Sequence, residues 1–260
     1  MRSPDFVQSL ERGLAVIRAF DAGHPELTLS EVARICGLTR AAARRFLLTL
    51  ADLGYVRTDG RLFSLTPRVL ELGYAYLSSL SLPEVTAPHL ERLVAQLHES
   101  SSLSILDGDD IVYVARVPTS RIMAVAITVG TRFPAYATSM GRVLLAALPP
   151  QELESYLARV SPARLTAKTV TTADALRAEI AKVRAQGWSI VDQELEEGLR
   201  AIAAPIHDRA GTVVGAVNVS VHAARATVDV MRRRFRPALL AATAAIDADL
   251  RNKAAIIRTG

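Results

Sequence analysis

The stretch from Thr28 to Leu53, TLSEVARICGLTRAAARRFLLTLADL, constrains this chain more than any other. Thr28 and Glu31 have the spacing of a capping box, so a helix is expected from Thr28 to about Cys36. Gly37 supplies a left-handed residue to end it, and Thr39 can cap a second helix. On that helix Ala43, Phe46, Leu50 and Leu53 fall on one side, Ala41, Arg44 and Arg45 on the other, and Arg40 at the flank. An apolar back with three arginines near the N-terminal exposed face is what a helix entering the major groove of duplex DNA requires. YVRTDGRLFSL follows, with the two-residue turn signal Asp59-Gly60 between Arg57 and Arg61. Arginines on a short exposed helix are more often a solvated face; the joint order of capped helix, glycine turn, arginine helix and arginine-flanked hairpin is what predicts a winged helix-turn-helix. Its expected DNA-binding residues are Thr39, Arg40, Ala41, Arg44 and Arg45 on the reading helix, and Arg57 and Arg61 on the wing.

Charge supports this only mildly. The net charge is +5, but residues 1–80 hold ten Arg against eight Asp or Glu, so placement matters more than the total. With 260 residues, half of them hydrophobic, the chain can bury a substantial core, and disorder is not its expected state. Cys36 stands alone, which excludes an intrachain disulfide and a cysteine-based zinc site; a buried small hydrophobe is its expected role. No signal peptide or membrane span is read, so the cytoplasm is the expected location.

In chain order, residues 6–20 place Leu10, Leu14, Ile17 and Phe20 on a helical stripe that Ser9 could cap, and 21–26 read as a loop. Thr66-Pro67 starts a helix whose apolar residues lie nearly all round, read as a linker helix that also packs against a second chain. The expected domains are therefore 1–65, a winged helix-turn-helix; 66–82, a linker helix; and 83–254, an effector-binding domain. In the last of these, residues 85–102 read as a helix. SLSILDG and DIVYVARV read as a hairpin, RIMAVAITV as a further strand, and 139–147 and 150–158 as helices. ALRAEIAKVRAQGW is an amphipathic helix ended by Gly187. AIAAPIHD and TVVGAVNVSVH are strands joined by 208–211, and a terminal helix follows, whole or divided at Pro237. Strands and helices mixed on an antiparallel sheet predict an α+β fold.

No catalytic constellation stands out. The histidines have no metal spacing, no nucleophile elbow or phosphate loop is present, and the carboxylates of DQELEEGLR read as a solvated loop. No cofactor, metal or catalytic residue is expected. A binding cavity has better support. In β-strand alternation Asn218 and Ser220 share one face with Val214 and Ala216, and buried polar pairs need partners from protein or ligand. Thr138 or Ser139 can cap a helix whose first N–H groups suit a carboxylate. Phe133, Tyr136 and Met140 are candidate walls, and Arg142 and Arg200 candidate counter-charges; a helix cap and a satisfied strand pair would explain the same pattern.

Five segments carry a resemblance: FVQSLERGLAVIRAF, GLTRAAARRFLLTLADLGYV, LTPRVLELGYAYLSS, RIMAVAITVGTRFPAYATSMGRVLLAAL and VDQELEEGLRAIAAPIHDRAGTVVGAVNVS. Together they span nearly all of Phe6 to Ser220. The chain resembles IclR-type transcriptional regulators, and closely the branch controlling aromatic-acid catabolism through the β-ketoadipate pathway (PcaR, PcaU and PobR-like). The resemblance implies a winged helix-turn-helix, a linker helix and a GAF-like effector domain. It implies a homodimer or dimer of dimers on double-stranded operator DNA, with RNA polymerase as a further candidate partner and no membrane. It also implies an effector pocket around Phe133, Ser139, Met140, Asp192, Ala201, Asn218 and Ser220. The implied effector is a small carboxylate: protocatechuate, 4-hydroxybenzoate or a β-ketoadipate-like acid. Ser139-Met140 stands where other members have Gly-Ala, which would reshape the cavity. The alternatives are regulation of another small-acid pathway, an architectural DNA binder that ignores small molecules, and an enzyme acting on a small organic acid.

Overall fold

The computed structural model describes residues 5–72, 82–119 and 127–256, with side chains to 251. The chain divides near residue 80 into two compact units.

In the first unit, α1 (Gln8–Arg18) is followed by β1 (Glu26–Thr28), α2 (Leu29–Ile35), α3 (Arg40–Asp52), β2 (Val56–Thr58) and β3 (Leu62–Leu65). Thr28 starts α2 through a complete capping box: its hydroxyl accepts from Glu31 N–H, and the Glu31 carboxylate accepts from Thr28 N–H at 2.7 Å. Gly37 turns the chain at φ +62°, and Thr39 caps α3 by accepting from Ala42 N–H at 3.2 Å. The core of this unit holds Val16, Leu27, Val32, Ala43, Leu47, Leu50 and Phe63.

Several local expectations need correction. Val7, not Ser9, precedes α1, and Leu10 and Leu14 face outward, because Val16, Ala19 and Phe20 make the inward contact. On α3 the inward stripe is Ala43, Leu47 and Leu50; Leu53 is exposed, since the helix ends at Asp52 and Leu53 is its C-cap, off the buried stripe. Residues 26–28, where the loop read over 21–26 runs into the expected helix start at Thr28, form a strand that pairs with β3, so the wing sheet has the order β1-β3-β2. The hairpin also closes one residue later than its sequence signal. Asp59 N–H donates to Leu62, and the Asp59 carboxylate accepts from Arg61 and Leu62 N–H, which puts Gly60 and Arg61 at the tip. Of the linker helix only its start is described: a 3-10 turn at Pro67–Val69, capped by Thr66, and helix to residue 72. Its continuation over 73–81 lies outside the described residues.

The second unit is built on a six-stranded antiparallel sheet of β4 (Ser100–Asp107), β5 (Asp110–Val117), β6 (Arg132–Pro134), β7 (Ser189–Asp192), β8 (Leu199–His207) and β9 (Val213–His222). The spatial order is β6-β5-β4-β9-β8-β7. Helices α4 (Leu82–Leu97) and α8 (Arg236–Ile256) cover one face, and α5 (Ser139–Ala147) and α7 (Ala173–Gln186), with α6 (Pro150–Arg159), cover the other. This agrees with an α+β fold. Most of RIMAVAITV falls on 120–126, outside the described residues; the described strand here is β6 further on. The terminal helix is not divided at Pro237. A π-helical turn at Met231–Phe235 precedes α8, and its wider winding accommodates the proline ring in the first turn.

Both faces of the sheet are buried, so alternation along β9 sorts residues by partner rather than by solvent. Ala216, Asn218 and Ser220 face the α5 side, and Val217, Val219 and Val221 the other. Gly141, in the first turn of α5, permits close packing: a Cβ there would lie 2.1 Å from the Ala135 carbonyl oxygen. Among the described residues no helix is long and apolar enough to cross a membrane, and no cluster of His, Cys, Asp or Glu could hold a metal.

Candidate functional site

Two surfaces carry chemistry, one in each unit. On α3, Arg40, Ala41, Arg44 and Arg45 are all exposed behind the Thr39 cap, while Ala43, Leu47 and Leu50 anchor the opposite side. No ion pair among the described residues engages Arg40, Arg44, Arg45 or Arg61. On the wing, Arg61 stands at the tip and Arg57 donates to Ser64 Oγ at 3.0 Å, which holds its guanidinium along the sheet. The result is a cationic helix face, and a hairpin whose arginines form no ion pair among the described residues although the Asp59 carboxylate lies near Arg61; both suit phosphates, and the helix face suits guanine edges.

In the second unit, a small, mostly apolar cavity opens where α5 starts above β8 and β9. Its walls include Tyr113 of β5, Val191 of β7, Ala201 of β8 and Asn218 and Ser220 of β9, with Thr138, Ser139 and Met140 from the helix start. Ile127, Leu195 and Leu199 complete the lining. Thr138 is the residue that caps α5: its hydroxyl accepts from Gly141 N–H at 3.0 Å. The Ser139 and Met140 N–H groups, in the first turn, have no carbonyl to reach within the helix. Ser104 Oγ donates to Met140 Sδ at 3.2 Å, fixing that side chain against the sheet. Asn218 Oδ1 accepts from Ser102 N–H at 3.1 Å, which leaves its NH2 group as the donor available to the cavity.

The decisive feature is polar imbalance. Ser139 Oγ and Ser220 Oγ are both buried, at 1 % and 4 % exposure, and neither has a hydrogen-bond partner. A buried hydroxyl without a partner costs on the order of 1–3 kcal/mol, and here two line the same cavity. Burial also pushes the Tyr113 phenol, on the same cavity's lining, up to about 12.

Three of the expected effector residues stand elsewhere. Phe133 packs edge-on against Tyr113 with ring centroids 5.9 Å apart, behind the wall rather than in it. Asp192 is engaged by Arg200 and by Lys168 Nζ at 2.8 Å; burial raises its carboxyl, but these cations outweigh it and hold it down at about 2. Arg200 donates to Asp192 and to the Ala223 and Ala226 carbonyls, so it braces the end of β8 instead of facing a ligand. Arg142, the other counter-charge candidate, forms a buried two-pronged ion pair with Glu194, with 2.8 Å between Nη1 and Oε1. It also donates to the Tyr136 carbonyl at 3.1 Å. Glu194 is therefore a buried structural partner rather than part of a solvated loop, because that loop folds back over α5. Tyr136 hydrogen-bonds with residue 163 and does not line the cavity.

The wall residues that sequence reasoning missed are Tyr113, Ile127, Val191, Leu195 and Leu199. Alternation along DIVYVARV puts Tyr113 on the α5 face and could have found it; Leu195 and Leu199 sit inside a run of acids that masks them.

Residues 9–60 match the IclR helix-turn-helix domain, and residues 74–248 match the bacterial transcriptional regulator IclR C-terminal domain. Among curated relatives, the Pca regulon regulatory protein of Pseudomonas putida is 50 % identical over 241 residues, covering 92 % of this chain and 83 % of that protein. A solved structure from Rhodococcus sp. RHA1 is 60 % identical, covers 94 % of this chain and 98 % of that one, and superimposes with a TM-score of 0.87. An IclR homolog from Microbacterium hydrocarbonoxydans, solved with 4-hydroxybenzoate, is 26 % identical over 93 % of this chain and 98 % of that one, with a TM-score of 0.82. Both units are thus accounted for in the order in which they occur, and the chain belongs to the IclR family of bacterial transcriptional regulators.

Proposed function

We propose that this protein regulates genes of aromatic-acid catabolism, binding operator DNA through α3 and the wing and sensing a small carboxylate in the cavity beneath α5. The observation that carries the sensing half is the pair of buried, unpartnered hydroxyls, Ser139 Oγ at the start of α5 and Ser220 Oγ on β9, that line one cavity. An effector rich in oxygen acceptors satisfies them, together with the first N–H groups of α5 and the Asn218 NH2 group. The relatives support the chemical class: one is named for the Pca regulon, and another was solved with 4-hydroxybenzoate.

A homodimer, or dimer of dimers, sets two α3 helices in successive major grooves roughly 34 Å apart or a multiple of it. Thr39, Arg40, Ala41, Arg44 and Arg45 meet the groove, and Arg57 and Arg61 meet phosphates. The effector changes DNA affinity only through its differential affinity for two arrangements of that assembly. In this reading the effector is bound and released unchanged; among the described residues the cavity walls include no cysteine, histidine or carboxylate to act as nucleophile or base. The protein acts in the cytoplasm.

The test measures the melting temperature and operator affinity of the purified protein with and without protocatechuate, 4-hydroxybenzoate and β-ketoadipate. Stabilisation by one of them, with a changed operator affinity, is expected. Stabilisation only by an unrelated acid would move the protein to another small-acid pathway, and no response to any acid would favour an architectural DNA binder. The paired substitution Asn218→Ala, Ser220→Ala is expected to abolish the acid response; a normal response would remove both residues from the site.

A further inference from the structure

Among the described residues the cavity lining contains no cation, and the two arginines that the sequence offered, Arg142 and Arg200, already hold carboxylates. A third arginine on the sheet does not. Arg116 of β5 pairs across the sheet with Ser102 of β4, and Ser102 pairs on its other side with Asn218 of β9. Residues directly opposite one another in antiparallel strands project to the same face, so these three side chains form one row. That row lies on the face carrying Ser220 and Tyr113, the face covered by α5. Two strand spacings, roughly 10 Å, separate the backbones of Arg116 and Asn218.

The bonding matches the register. Arg116 Nη1 donates to Ser102 Oγ at 3.2 Å, and Ser102 N–H donates to Asn218 Oδ1. The guanidinium is half-buried, and no carboxylate engages it among the described residues. Residues 120–126, which follow shortly on the chain, include no Asp or Glu. Burial moves the guanidinium in the direction expected of a cation short of an anion.

We propose that Arg116 is the cation that receives the effector's carboxylate, at the β5 end of the Arg116–Ser102–Asn218 row. This rests on the effector reading above and deepens it. The carboxylate goes to Arg116, and the unpartnered hydroxyls of Ser139 on α5 and Ser220 on β9 receive the acid's other oxygen function, a ring hydroxyl or a second acid group. The effector class is therefore a small acid with a carboxylate and a further oxygen substituent at its far end.

The experiment is a cycle of two proteins and two ligands, read by calorimetry on the full chain: wild type and R116Q, each with 4-hydroxybenzoate and 4-hydroxybenzamide, and with protocatechuate and β-ketoadipate run in parallel. Wild type is expected to prefer the carboxylate over the amide at least tenfold, R116Q to lose that preference, and R116K to fall between. A merely structural role would weaken both ligands alike and leave the preference intact, which overturns the assignment. R116Q binding the acid within twofold of wild type overturns it as well. Should R116Q not fold, R116K binding the acid as tightly as wild type has the same force. If wild type binds none of the acids, the effector reading itself fails, and the assignment falls with it.

Discussion

Arginine does opposite work in the two units. On α3, Arg40, Arg44 and Arg45 stand exposed without a carboxylate partner, and Arg61 does the same at the tip of the wing. In the second unit Arg132 holds Asp107 and Asp110, Arg142 holds Glu194, Arg177 holds Glu154 and Asp174, and Arg200 holds Asp192. The net charge of each half hides this difference. What suits a surface to a polyanion is the absence of internal neutralisation, and what suits an arginine to a fold is a forked carboxylate partner in a partly dry setting. Arg116 is a half-buried second-unit arginine that, like those of α3, has no carboxylate partner among the described residues.

The largest effect tests the structural arginines. Glu194→Ala leaves Arg142 buried without its anion, and a loss of about 3–5 kcal/mol is expected in urea unfolding. A loss below about 1 kcal/mol would mean that Arg142 is free to serve a ligand. Gly141→Ala follows, at about 3 kcal/mol, since its Cβ would meet the Ala135 backbone and neither side can yield easily; an unchanged melting temperature would contradict the tight seating of α5. Arg44→Ala tests the other side of the contrast. It is expected to weaken operator binding by about 1–3 kcal/mol relative to random DNA, while stability stays within about 0.5 kcal/mol. A unchanged preference for operator would assign Arg44 to phosphates.

The smallest effect concerns pH. The Asp192 carboxyl is held at about 2, below its ordinary value of 3.8, so its ion pairs stabilise the fold above pH 4. That contribution, on the order of 1–2 kcal/mol, is lost as pH falls from about 4 to 2. Asp192→Asn should therefore be less stable than wild type at pH 6, with the gap closing by pH 2. A constant gap would show that packing, not charge, is what the substitution removes.

How far the chain could be read depended on the range of the forces involved. The reading helix, its cap at Thr39, the capping box at Thr28 and the glycine stop at Gly37 were all legible, because each is decided within four residues by backbone hydrogen bonding. The strand pair of Asn218 and Ser220 and the helix start at Thr138 were legible for the same reason. The strand at 26–28 was not, since only its pairing with β3 makes it one.

Local sequence determined where α2, α3 and α5 begin, which face of α3 is apolar, and which side chains alternate toward α5. Tertiary structure alone decided what Arg142, Arg116 and Arg132 touch. Arg142 and Glu194 are 52 residues apart, and no spacing rule joins them. Whether a charge is free or paired depends on which distant segments share a dry volume, and that is settled only when the sheet and its helices close around it.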